Sequence, residues 1–372
     1  MPPSQRWNRF ARSDEATLRR AQEASLARYL REELLPFSRH YRALFERTGF
    51  DPRRSSTAAG LAQLPATTPR ELLRAQGLEA HRADFLLRPT ARSLKAEWSF
   101  LRKLALALGP ARSQAQLART YTPCFRTRER VDDDWLFVDH TRFDLELLGE
   151  HGARAFGFLG LEPTSDRVLS LARPGPGIEH WAFLQAGWQS GVRVAHDLDL
   201  SEAGLVEDYA PTALAGPAAD VLAFLAGARE KRLELGALSL CVLTGVGISS
   251  ADKQRAAEAL TAFGASDPVV CRAFSSGLGR GLFVEPPADV DADPGFLVSP
   301  ELNLFEVVRP GTDEPAAAGE GGELLLTTLT ARGTAVLRYR TGLATRAPID
   351  WSRCKWSGLG LPRIASDLHF TG

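Results

Sequence analysis

The chain has 372 residues, 44% of them hydrophobic, enough to bury a core larger than one small domain needs. Its 45 basic and 45 acidic side chains cancel to a formal net charge of +0, which removes the global field that draws a protein to nucleic acid or anionic lipid. Four cysteines, Cys124, Cys241, Cys271 and Cys354, form no C-x-x-C pair, which argues against a zinc ribbon or disulfide framework and for reduced, mostly buried thiols.

Met1 to Arg20 lacks the apolar core of a secretion signal, and no later segment is apolar for long enough to span a bilayer, so a cytoplasmic protein is expected. Ser13 is predicted to cap a first helix, with Asp14 and Glu15 complementing its dipole, and the apolar spacing carries it towards Pro36. A second helix is predicted from Ser38 to Arg47. Thr68-Pro69-Arg70-Glu71 combines a capping-box pair with proline at the first helical position, and so starts a third. From Ser93 to Leu108 the residues Leu94, Trp98, Leu101, Leu104 and Leu108 share one face and basic residues much of the rest, a basic amphipathic helix that docks on its own domain or lies on a membrane or partner. Residues 1–120 thus read as a helical N-terminal region.

A strand at Trp135–Val138 and a helix capped by Thr141 with Asp144 follow. Beyond residue 160, β-rich runs at Arg167–Leu171, Val192–Ala195, Leu238–Thr244 and Val269–Phe274 alternate with helical stretches at Glu179–Gln189, Ala218–Ala228 and Ser250–Phe263. That alternation predicts an α/β core over 121–285, with a mainly parallel sheet flanked by helices. Strands without intervening helices, at Leu282–Glu285, Leu302–Val308, Glu323–Leu329 and Val336–Tyr339, predict a C-terminal antiparallel β subdomain, bounded at 286–345 and followed by a tail over 346–372.

Four segments, in order, carry a family resemblance. Phe37–Phe45 leads to Leu64-Pro65-Ala66-Thr67-Thr68-Pro69-Arg70-Glu71-Leu72; Leu243-Thr244-Gly245-Val246-Gly247-Ile248-Ser249 follows; then come Gly319-Glu320-Gly321-Gly322-Glu323-Leu324-Leu325-Leu326-Thr327-Thr328-Leu329 and Leu337-Arg338-Tyr339-Arg340-Thr341-Gly342. Together they resemble the phenylacetate-CoA ligases and acyl-protein synthetases of the adenylate-forming (AMP-dependent synthetase/ligase) superfamily. The resemblance implies the large-domain fold of that superfamily and assigns Gly245 and Gly247 to an acyl and adenine pocket.

The same resemblance exposes losses. The superfamily grips phosphate with a Ser/Thr/Gly loop, whose open backbone N–H groups approach the anion closely. The nearest stretch here, Thr120–Thr127, has no glycine. Arg126 and Arg128 offer charge in its place. In Phe274-Ser275-Ser276-Gly277-Leu278 the aromatic that stacks near adenine is kept. However, Leu278 stands where a magnesium-holding glutamate belongs, and a hard cation needs oxygen ligands. Tyr339 and Arg340 of the Tyr-Arg-Thr-Gly-Asp segment remain, while Leu343 replaces the ribose-binding aspartate. The family's C-terminal lid, on the order of a hundred residues, is expected to be absent, since the chain stops at Gly372.

Three readings of function result. The preferred one is a pseudoenzyme without a cofactor that binds a partner protein or a small acyl or aryl ligand, with His180 and Trp181, and Trp188 beyond them, lining the old acid pocket. The second is an active acyl- or aryl-acid-activating ligase with a rebuilt site for ATP/AMP and Mg. The third is acyl transfer through Cys354. No metal-ligand spacing and no G-x-S-x-G elbow occur, nucleic acid is not an expected partner, and a homodimer is compatible with each reading.

Overall fold

The computed structural model describes residues 9–76, 85–90, 119–131, 133–196 and 198–371. The predicted helix Ser93–Leu108 lies outside them. The first helix, α1 (Glu15–Tyr29), is capped by Asp14, whose carboxylate accepts the Thr17 N–H at 2.7 Å. Ser13, the predicted cap, instead closes the preceding turn by donating its N–H to the Phe10 carbonyl. Past Tyr29 the helix widens into a π-turn at Leu30–Leu34 and reaches Phe37. α2 (Arg39–Thr48) is capped by Ser38, and it ends at Gly49 with φ 70°. After α3 (Ala58–Leu61) comes α4 (Pro69–Gln76), entered through reciprocal bonds of Thr68 and Glu71, as the capping box requires.

These helices have no core of their own. Leu26, Leu30, Tyr41 and Leu64 are buried in one apolar cluster with Phe283, Leu326 and Leu337 from the other end of the chain. Each such side chain contributes about 1.5–3 kcal/mol by leaving water, so the N-terminal helices are fixed by long-range packing. Thr67 completes the join, because its N–H and C=O bond the Arg338 carbonyl and the Arg340 N–H.

An antiparallel hairpin follows, β1 (Pro123–Val131) and β2 (Asp134–Thr141), and runs into α5 (Arg142–Phe158). Thr141 and Asp144 form the predicted capping box. Asp144 is fully buried, and the equally buried Arg280 guanidinium lies 2.7 Å away. Burial opposes the charge on Asp144, yet Arg280 and the backbone N–H donors hold its pKa below the usual carboxylate value.

Next come β3 (Arg167–Ser170), α6 (Glu179–Ser190), β4 (Arg193–His196), α7 (Ala203–Tyr209), β5 (Ala213–Pro217), α8 (Ala218–Glu230), β6 (Leu240–Thr244), α9 (Ser250–Ala262), β7 (Val269–Ser276) and β8 (Gly281–Val284). The six strands form one sheet in the order β4-β3-β5-β6-β7-β8, parallel except for β8. Alternate side chains of each strand enter opposite cores. Val168, Ala215 and Val242 pack under α5 and α6, whereas Leu169, Leu214 and Leu243 pack under α7, α8 and α9. The mainly parallel, doubly covered sheet is the one predicted. The strand predicted at Leu282–Glu285 is its antiparallel edge and not part of the later β region.

The remaining strands are β9 (Phe296–Leu297), β10 (Asn303–Val308), β11 (Gly322–Thr328), β12 (Tyr339–Thr345), β13 (Arg363–Ile364) and β14 (His369–Phe370). β10-β11-β12-β14 form the expected antiparallel sheet, and β9 pairs with β13. The strand predicted at Val336–Tyr339 begins only at Tyr339. Before it, Arg338 takes φ 48°, and its buried guanidinium bonds the Ala62 and Asp313 carbonyls and pairs with Glu306.

Candidate functional site

At the carboxyl ends of β6 and β7 the two turns singled out in the sequence come together. Gly245 and Gly247 have φ values of 137° and 76°, and the Gly245 N–H bonds the Ala273 carbonyl of β7. At Gly247 a side chain would be strained by the backbone alone. The Gly247 N–H bonds the Leu368 carbonyl, and Ser249 with Asp252 caps α9. Phe274 stacks on Phe283 with centroids 4.8 Å apart and meets Phe296 edge-on at 5.0 Å, so the aromatic expected near an adenine is a core residue. Ser275 is half-buried, and the Ser276 hydroxyl accepts the Gly279 N–H at 2.9 Å.

The turn after β7 is closed by a residue that the sequence pattern did not single out. Glu129 reaches from β1 and accepts the N–H of Gly277 at 2.5 Å, and the Leu278 N–H beside it also favours the carboxylate charge. The approach is close enough that a Cβ at position 277 would lie 2.8 Å from the Glu129 carboxylate and 3.1 Å from the Thr127 hydroxyl. Burial raises the Glu129 pKa, against the lowering effect of the two N–H donors. Tyr339 is buried nearby, and its hydroxyl is pushed up by burial first and by the Glu129 charge second. A protein carboxylate thus occupies backbone donors of the kind that receive phosphate elsewhere. Leu278, 1% exposed, and Leu343, 9% exposed, belong to the same apolar cluster as Phe274.

The other expected anion contacts are committed within the protein. Arg126 grips Asp139 with two bonds, at 2.6 and 3.1 Å. The Thr120–Thr127 stretch enters β1 at Pro123, so it makes no phosphate loop. Arg340 pairs with Glu323 and with Asp313. Gly342 keeps the left-handed turn, φ 72°, but Leu343 after it pairs with Phe370 of β14. Cys354 is 1% exposed, which withholds its thiol from an acyl donor in this conformation. The described lysines are also engaged: Lys253 with the Ala292 carbonyl and Glu285, Lys231 with the Leu200 carbonyl, Lys355 over the Trp356 ring. No group of three metal-ligating side chains occurs among the described residues, and none of their helices is long and apolar enough to cross a membrane.

His180 and Trp181 lie on α6. His180 is buried, its Nδ1 is 2.8 Å from the Ala172 carbonyl, and its ring lies 4.6 Å from that of His196. Trp181 meets Phe125 edge-on at 5.0 Å. Trp188, expected to line an acid pocket, is 70% exposed. Glu179 at the start of α6 accepts a bond from the Thr244 hydroxyl at the end of β6. Its pKa is raised by burial, and the Asp220 carboxylate adds to the rise. A cavity of about 730 Å³ opens past the end of β3, and it is lined by none of His180, Gly245 and Phe274.

No protein-family model and no curated protein matches this chain. Solved structures do. An open conformation of 2-hydroxyisobutyryl-CoA ligase in complex with 2-HIB-AMP and CoA has a TM-score of 0.75 at 16% identity, over 96% of this chain and 70% of that one. The same ligase in its postadenylation state with R3-HIB-AMP gives 0.71 at 17% identity, over 100% and 68%. In the thioesterification state with 2-HIB-AMP and CoA it gives 0.71 at 17%, over 99% and 68%. The chain therefore has the adenylate-forming fold that its four sequence segments imply.

Proposed function

We propose that this protein keeps the adenylate-forming fold for binding a small acyl or aryl ligand and does not adenylate it with MgATP. The reading rests above all on Glu129, a carboxylate held by the Gly277 N–H at the turn. An incoming phosphate would meet that carboxylate at the turn, and two like charges a few ångströms apart repel by about 1 kcal/mol in water and several times more near a protein interior. Leu278 and Leu343 support the same reading, since magnesium and ribose both need oxygen partners and each side chain is packed in the core. Several losses at one ligand act together, because groups that cooperate in catalysis are strongly interdependent.

The solved ligases of this fold carry acyl-AMP and CoA, so ATP or AMP with magnesium is the cofactor of the competing reading. Pyrophosphate release separates the two. Pure protein given MgATP and a panel of aliphatic and aromatic carboxylic acids is expected to release none above a no-protein control. Release that depends on one of the acids would overturn the proposal.

A further inference from the structure

An open cavity lies elsewhere on the sheet. From β3 the chain passes through α6 to β4 on one side, then returns past β3 to β5 on the other, so the strand order changes direction between β3 and β5. α6 packs on one face of the sheet and α8 on the opposite face. The loops leaving β3 and β5 therefore diverge, and ligands of open α/β sheets bind outside the carboxyl ends of the strands at such a point. The 730 Å³ cavity is there, between Ala172 and Arg173 after β3, Leu200 after β4, and Asp220 and Phe224 of α8. That volume suits a small organic molecule.

The lining specifies chemistry. Leu171, Leu200 and Phe224 give an apolar wall. Arg173 is exposed and hydrogen-bonded to no described residue, and its charge adds to the effect of the Ser201 bonds that hold the Asp199 pKa down. Asp199 is already satisfied by the Ser201 N–H and hydroxyl, at 2.7 and 2.5 Å. Asp220, also exposed, lines the cavity and has no cation in ion-pair distance among the described residues. Ser170 lines the cavity too, and its hydroxyl, in a residue 2% exposed, has no hydrogen-bond partner. A buried hydroxyl left unpaired costs free energy that a ligand group can recover.

We infer that this cavity binds a small apolar amino acid as a zwitterion, with its carboxylate on Arg173, its ammonium on Asp220, and its side chain against Leu171, Leu200 and Phe224. The inference rests on the binding reading above and narrows its ligand from a plain acyl or aryl acid to an amino-substituted one. An ammonium pairs with the Asp220 carboxylate, whereas a plain carboxylic acid would bring a like charge to it.

Titration calorimetry on the full chain tests it with four probes: L-leucine, L-phenylalanine, 4-methylpentanoate, which is leucine without its amine, and 3-methylbutylamine, which is leucine without its carboxylate. At least one amino acid is expected to bind, with both truncated probes about tenfold weaker or worse than leucine, since a charge-assisted hydrogen bond is worth that much. Arg173→Ala and Asp220→Asn should each weaken binding by about tenfold while melting like the parent protein, as both side chains are exposed. No heat from either amino acid, equal binding of 4-methylpentanoate, or unchanged binding by both variants would overturn the inference. None of those results bears on pyrophosphate release, and release of pyrophosphate would defeat the non-adenylating reading while leaving the amino-acid result standing.

Discussion

Replacing Glu129 probes the closed turn directly. In Glu129→Ala the Gly277 N–H loses its acceptor, which costs about 1–3 kcal/mol when left unsatisfied, while burial of a carboxylate is relieved at the same time. The two effects oppose, and a net loss of about 2 kcal/mol is expected, because water reaches a vacated turn only in part. Glu129→Gln keeps an oxygen acceptor without the charge, so it should fall within about 1 kcal/mol of the parent. The diagnostic assay is urea unfolding with and without inorganic phosphate. In the alanine variant a phosphate ion can take the freed Gly277 donor, and at a hundred times its dissociation constant it restores about 2.7 kcal/mol. The parent protein should show no comparable gain. If phosphate stabilises parent and alanine variant alike, Glu129 is not occupying an anion site and the reasoning fails.

The other expectations follow from buried groups. Glu306, beside Arg338, has its pKa raised to about 7 from an ordinary 4.5, with burial as the main cause. A raised carboxyl pKa contributes stability that is complete below about pH 4.5 and lost as pH rises through about 7, by up to roughly 3 kcal/mol. Glu306→Gln should remove that slope from stability measured between those values, and identical slopes in parent and variant would contradict the assignment. Arg280→Ala strands the fully buried Asp144 carboxylate and should cost about 3–5 kcal/mol in denaturant unfolding; a loss under 1 kcal/mol would show that water replaces the guanidinium. Iodoacetamide under native conditions should alkylate the exposed Cys124 first and reach Cys354 only on unfolding. Early modification of Cys354, read by peptide mass spectrometry, would reopen acyl transfer through that thiol.

What was legible in the sequence depended on how local its physical cause is. Capping boxes at Thr68–Glu71 and Thr141–Asp144 read directly, because the interaction spans only three positions of the chain. β5 escaped notice, since Ala213-Leu214-Ala215-Gly216-Pro217 has no β-branched residue and is a strand only because β3 and β6 pair with it. Phe274 and Trp188 show the limit for sites: an aromatic next to a motif can end in the core or in water, and only packing decides. Glu129 left a faint signal. Outward Arg126, Arg128 and Arg130 alternate with Thr127 and Glu129, which marks those two as facing inward on a strand. Its partner, the turn at Gly277, is 148 residues away in the chain, and that pairing exists only in the fold.

Calorimetric titration of the unmodified protein with ATP and magnesium decides whether the turn beside Leu278 and Leu343 still receives a nucleotide. No heat that depends on the metal is expected at millimolar ATP. Saturable magnesium-dependent binding, abolished by Leu343→Arg but not by Arg173→Ala, would contradict the assignment of that turn to Glu129.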